Sequence, residues 1–253
     1  MPSVEIMTPP DDREIVYEDE EDRPLWKDIT GEFVGTFLFV YISLAGVNQA
    51  VLTNQGQFHI ALCFALGLTS GIVVANKSGG HLNPAVSVVT FFTNDNFDLH
   101  RLIGYIGAQM LGGFCAGLSV LAVYYSWINN FKHKETFAGT FGTLKNHNNS
   151  LFASIIDQFI GSALLMFAII TIPNSRFKPL MIGASLGALG LFQGTNGFAF
   201  NLARDFGPRL VSSFVLGATP FTSEEYWFWV PMVVPFVGVA FGFFMSGLVA
   251  KIY

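Results

Sequence analysis

The chain has 253 residues, of which 51% are hydrophobic and 12% charged, with a formal net charge of −5. Soluble domains carry roughly 25% charged residues, so this composition excludes an ordinary soluble fold. The two cysteines, Cys63 and Cys115, both lie inside apolar runs, which excludes a disulfide framework and a Cys-rich metal site.

The first segment is polar. Glu5, Asp11, Asp12, Glu14, Glu18, Asp19, Glu20, Glu21 and Asp22 supply half of the 18 carboxylates of the chain. Residues 1–27 therefore read as an acidic, disordered cytoplasmic tail, with Ser3, Thr8 and Tyr17 as candidate phosphorylation sites. The tail lacks the basic start and apolar run of a secretory signal, so the first hydrophobic segment is expected to remain as a span. The negative charge belongs mainly to this tail, and no nucleic-acid partner is expected.

Residues 28–253 read as one membrane domain. Apolar stretches long enough to cross a hydrocarbon core of roughly 30 Å run from Asp28 to Val51, Phe58 to Asn76, Arg101 to Trp127, Leu151 to Ile172 and Tyr226 to Ala250. A shorter stretch, Pro179 to Phe192, carries Gly183, Gly187 and Gly190 at three- and four-residue spacing, a smooth helical face for close packing. Six spans are expected. Between the second and third, Gly79-Gly80-His81-Leu82-Asn83-Pro84-Ala85-Val86 precedes an amphipathic stretch ending at Phe92. Between the fifth and sixth, Gly197-Phe198-Ala199-Phe200-Asn201-Leu202-Ala203-Arg204-Asp205 leads into one ending at Phe214. Each box puts an Asn where it would cap a helix, and Pro84 occupies the favoured N1 position. Both stretches are too short to span, which predicts two re-entrant half-helices surrounded by protein.

The halves repeat. Gly31-Glu32-Phe33-Val34-Gly35-Thr36 opens the first span, and Ile156-Asp157-Gln158-Phe159-Ile160-Gly161-Ser162 opens the fourth, each with a carboxylate, Phe, Gly and a small hydroxyl. Three spans per half is an odd number, so the halves, about 28–130 and 151–253, must be inverted and joined by an extracellular loop, 128–150. Inverted repeats place the substrate path at their interface, where broken helix ends meet. An even span count puts both termini on one side, expected to be the cytosol, and the expected setting is the plasma membrane. The sequon Asn148-Asn149-Ser150 then lies outside, close against the fourth span.

His81-Leu82-Asn83-Pro84-Ala85, the run from Phe200 to Arg209, the carboxylates Glu32 and Asp157, and the six-span layout together resemble the major intrinsic proteins, the aquaporins and aquaglyceroporins. The resemblance implies an all-α membrane fold, a homotetramer with one pore per subunit, and a pore lined by Asn83 and Asn201. Leu202 departs from the family pattern, which has Pro there.

The resemblance assigns Arg204 to the outer selectivity filter as a hydrogen-bond donor to solute. Phe198, Asp205, Arg209 and the Pro231-Met232 pair resemble the glycerol-conducting subgroup. Two filter positions stay open. About twenty residues before Asn83, where glycerol facilitators carry Trp, stand Cys63 and then Phe64. The fifth-span position falls on Leu189 or Gly190. Cys63 with Gly190 would give a wide filter admitting larger polyols or urea, whereas Phe64 with Leu189 would narrow it toward water.

His81 is expected to fix the pore loop through a hydrogen bond. No second ligand stands at metal spacing, so neither metal nor cofactor is expected. Glu32 and Asp157 read as buried acceptors for loop N–H groups. No pair of residues has the arrangement of a nucleophile and its base, so an enzyme is not expected. The expected function is a passive channel for glycerol and small neutral solutes that also conducts water. A water-selective pore, or a membrane scaffold with a closed pore, are the alternatives.

Overall fold

The computed structural model describes residues 23–130 and 137–252. The acidic tail up to residue 22, with its candidate phosphorylation sites, and residues 131–136 of the central connection lie outside the described residues. The elements are α1 (Leu25–Thr53), α2 (Gln57–Val74), α3 (Pro84–Thr93), α4 (Leu99–Asn130), α5 (Ala138–Phe141), α6 (Leu151–Thr171), α7 (Lys178–Phe192), α8 (Leu202–Leu216), α9 (Thr219–Tyr226) and α10 (Trp229–Val249).

Five of these, α1, α2, α4, α6 and α10, are long and apolar enough to cross a membrane. The sixth span, α7, has 15 residues, about 22 Å at 1.5 Å per residue. It packs along α2, and α1 packs along α2 and α4, while α6 packs along α10. The half-helices complete the inverted repeat: α3 lies against α10 and α8 against α4, each seated on a long helix.

Small residues permit these contacts. A Cβ on Gly242 of α10 would stand 2.1 Å from the Ala163 carbonyl oxygen of α6, and one on Gly113 of α4 would stand 2.1 Å from the Ala203 carbonyl oxygen of α8. Gly183 and Gly187 form the α7 face that meets Ala65 of α2. Without a hydrophobic drive between helices in lipid, such close approach is what holds a bundle together. The outer surface carries exposed Phe58, Phe92, Phe152, Phe214 and Phe244, a lipid-facing coat that would be an aggregation liability in water. Trp26 opens α1, Trp127 closes α4 and Trp229 opens α10, as the interfacial aromatic belts of membrane proteins require.

Two elements were not legible in the sequence: α5, in the central connection, and α9, which bends at Ser223 and leads to the fully buried Trp227.

Candidate solute pathway

The two Asn boxes fold alike because the same local chemistry acts on both. Asn83 caps α3 through its Oδ1, which accepts the Ala85 N–H at 3.0 Å. Asn201 caps α8 by accepting the Ala203 N–H at 2.9 Å and the Arg204 N–H at 3.3 Å. Their backbones are nearly superimposable, with φ −152° and −156°. Leu202 therefore serves at N1 with the loop geometry intact.

Each Asn also holds the other loop. The Asn83 Nδ2 donates to the Phe200 carbonyl at 2.9 Å, and the Asn201 Nδ2 donates to the Leu82 carbonyl at 2.7 Å. To present those carbonyls, Leu82 and Phe200 take left-handed backbone angles, φ 49° and 50°. Such positions cost non-glycine residues about 1–3 kcal/mol and persist only where the surroundings enforce them. The N-termini of α3 and α8 thus meet, and their partial positive charges converge. An amide NH₂ has two donors. Since each Asn spends one on the opposite loop, each keeps one N–H that the opposite loop does not use.

The first loop hangs on Glu32. Its carboxylate, fully buried, accepts the His81 N–H at 2.9 Å, the Leu82 N–H at 2.8 Å, the Ser78 hydroxyl at 2.8 Å and the Gln109 amide at 2.8 Å. In the second half the equivalent acceptor is Gln158, whose Oε1 takes the Ala199 N–H at 3.1 Å. Asp157, expected in that role, does something else. Its carboxylate accepts the Asn196 side-chain amide at 2.9 Å, and its backbone carbonyl takes the Gln193 amide at 3.3 Å. A finer register would have found this: aligning Phe159, Gly161 and Ser162 with Phe33, Gly35 and Thr36 sets Gln158, not Asp157, opposite Glu32. Asn196 itself, which also accepts from Ser154 and the Asn146 N–H, was not legible.

His81 lies 3.1 Å from the Ser87 hydroxyl through Nδ1, and its ring packs on Phe97 and Tyr105. It lines a cavity of about 990 Å³ that runs from the α6–α7 connection, at Arg176 and Lys178, to Asn83 and Asn201.

Beyond the Asn pair lies a cluster of rings and one cation. Arg204 is 4% exposed, and its Nε and one Nη nitrogen have no hydrogen-bond partner among the described residues. Its Cζ lies 4.8 Å from the centre of the Phe64 ring, which meets Phe198 edge-on at 4.7 Å. Phe64 thus touches both Arg204 and Phe198. Gly190 faces Phe198, where a Cβ would be 2.9 Å from the ring, and Leu189 belongs to the same buried hydrophobic cluster as Phe64 and Phe198.

Cys63 is not part of this cluster. It faces α1, where a Cβ on Gly46 would meet its Sγ at 2.4 Å, and lies 3.7 Å from the His59 ring. Adjacent helix residues point about 100° apart, so Cys63 and Phe64 meet different neighbours.

Asp205 and Arg209 are fully buried rather than a surface pair. The Asp205 carboxylate accepts the Arg209 Nε at 2.8 Å and both the N–H and hydroxyl of Thr143, at 2.7 and 2.8 Å. Arg209 returns to the same segment, donating to the Thr143 carbonyl at 2.6 Å. The pair pins the central connection over α8. Buried ions of this kind are tolerable only when fully hydrogen-bonded, as here.

Known proteins match this architecture. The sequence model of the family described as Major intrinsic protein aligns with residues 20–246. Aquaglyceroporin-3 of Trypanosoma brucei brucei is 36% identical over 242 residues, spanning 89% of this chain and 79% of the relative. Glycerol uptake facilitator protein 3 of Lactiplantibacillus plantarum is 33% identical over 230 residues, spanning 87% and 95%. Among solved structures, the aquaglyceroporin from Plasmodium falciparum superposes with a TM-score of 0.78 at 29% identity, covering 90% of this chain and 98% of that one. Six spans in two inverted halves, two Asn-capped half-helices meeting end to end, and these matches lead to one conclusion: the chain belongs to the major intrinsic protein family.

Proposed function

We propose that this protein is a passive channel for glycerol and other small neutral solutes, urea among them, that also conducts water and excludes ions and protons. The observation that carries the reading is Arg204, a buried guanidinium whose Nε and Nη1 have no hydrogen-bond acceptor among the described residues, Asp205 standing 3.9 Å from Nη1, set against the Phe64 ring that meets Phe198. A polyol offers both complements, hydroxyls for the donors and a C–H edge for the rings. The names of the relatives point to the same solute class.

The filter in this reading comprises Phe64, Gly190, Phe198 and Arg204. A solute leaving it reaches the two remaining Asn83 and Asn201 donors. A water molecule that accepts both turns its own hydrogens outward, which interrupts the chain of like-oriented waters that proton hopping needs. The half-helix termini and Arg204 repel cations. The working form is a homotetramer of the plasma membrane with both termini cytoplasmic, supported by the even span count and the apolar outer coat.

The test is light scattering from proteoliposomes after a glycerol gradient and, separately, after an impermeant-sugar gradient. Glycerol re-swelling above empty vesicles, reduced in Arg204→Ala, is the expected result. Water efflux without glycerol entry would make this a water-selective pore, which the Phe64 ring in the slot would explain. Neither flux would indicate a scaffold.

A further inference from the structure

The second loop carries the Phe198 ring into the filter on unusual backbone. Gly197 takes φ 80° and Phe198 φ 34°, left-handed angles that a phenylalanine keeps only where its surroundings enforce them. The side chain just before that pair is the most heavily bonded of the loop. Asn196 is 1% exposed. Its Nδ2 donates to the Asp157 carboxylate at 2.9 Å, and its Oδ1 accepts the Ser154 hydroxyl at 3.1 Å, the Asn146 N–H at 3.2 Å and the Asn149 side-chain amide at 3.3 Å.

These partners come from two places. Ser154 and Asp157, three residues apart, share a face of α6, whereas Asn146 and Asn149 belong to the connection between the two halves. Gln193 and Ala199 give the loop further ties to α6, through the Asp157 carbonyl and the Gln158 Oε1. Asn196 reaches the connection as well. That connection also closes on the next residue, since a Cβ on Gly197 would stand 2.8 Å from the Thr143 Cβ. The position calls for an amide, which offers an acceptor to O–H and N–H groups at one atom and a donor to an anion at the other. A carboxylate there would set acceptor against acceptor at Asp157, and an alanine would make none of the four bonds.

We propose that Asn196 is a positioning residue for solute selection: by fixing the backbone that leads into Phe198, it holds that ring against Phe64 and Gly190 and so sets the width of the slot beside Arg204. It acts through Phe198 and touches no solute itself. The inference rests on the channel reading given above.

The test uses the full chain in proteoliposomes and compares re-swelling in a four-carbon polyol with re-swelling in glycerol, alongside water efflux. A ratio is the readout because a loss of folded protein lowers every rate alike. Asn196→Ala should raise the four-carbon-to-glycerol ratio several-fold, and Asn196→Asp should do the same. The exchange Asn196→Asp/Asp157→Asn should restore the parental ratio, because the amide now on α6 donates to the carboxylate now on the loop, which still accepts from Ser154, Asn146 and Asn149. Should the alanine variant not fold, the aspartate variant and its exchange partner carry the test. A ratio unchanged or lowered in the single variants overturns the proposal, and so does an exchange that restores nothing. A parent that passes water and no glycerol would overturn the glycerol reading alone, and the glycerol-to-water ratio then tests Asn196 in the same way. A parent that passes neither overturns both.

Discussion

The Phe64 ring lies against the Arg204 guanidinium, 4.8 Å from ring centre to Cζ, and meets the Phe198 ring edge-on at 4.7 Å. The neighbouring Cys63 faces α1. Phe64→Ala should raise permeation of four- and five-carbon polyols several-fold over glycerol, while Cys63→Ala leaves the ratio unchanged. Re-swelling rates in a polyol series measure it, and the reverse pattern would return Cys63 to the filter.

Arg204→Ala removes two donors, Nε and Nη1, that have no hydrogen-bond acceptor among the described residues. A hydrogen bond from a charged donor contributes about 1.5–3 kcal/mol, so glycerol permeation should fall about tenfold relative to water. Proton leak should rise at the same time, because a fixed positive charge leaves the path. A pH-sensitive dye inside the vesicles reads the second effect, and an unchanged leak would show that the half-helix termini suffice as the barrier.

Glu32→Ala orphans the N–H groups of His81 and Leu82 together with the Ser78 and Gln109 donors. Leaving buried donors unpaired costs about 1–3 kcal/mol each, so the detergent-solubilised protein should unfold at a markedly lower temperature. Gln158→Ala, which frees the Ala199 N–H, should cost less. Equal losses would mean that the two loops depend on their acceptors alike.

Asp205→Ala leaves Arg209 buried without its carboxylate and frees Thr143. Removing one partner of a buried ion pair costs about 3–5 kcal/mol. Limited proteolysis should then cut the segment around Thr143 faster than in the parent. A double variant, Asp205→Ala/Arg209→Leu, should recover part of the loss, and no recovery would argue against coupling.

Gly242→Val places side-chain atoms where even a Cβ would stand 2.1 Å from the Ala163 carbonyl oxygen. The backbone cannot yield there as a flexible side chain could, so α6 and α10 must separate. Loss of folded protein by size-exclusion chromatography is expected, whereas Gly247→Val, with open space around it, should behave as the parent.

Much of this was written in the sequence. Asn83 and Asn201 announce helix caps by residue type, and apolar length announces spans, because both signals are local. What escaped depends on phase and on distant partners. Cys63 and Phe64 differ by one residue, and spacing from Asn83 does not say which face of α2 meets α8. Asp157 took the place of Gln158 for the same reason, a carboxylate being the more conspicuous residue one position from the register that Phe159 and Gly161 define. The role of Thr143 rests on contacts with Asp205 and Arg209, some sixty residues away, that no local pattern records.

The matching of Leu82 with Phe200, and of Asn83 with Asn201, has a thermodynamic corollary. A waist whose two sides carry the same dihedrals and the same donors offers a solute equal terms whether it arrives from one side or the other. A passive path, with matched sides or not, carries no net flow at equal concentrations, because rectification needs an energy input. Net flow through it follows the concentration difference alone, so any sustained uptake or export must be driven by whatever consumes or produces the solute on one face of the membrane.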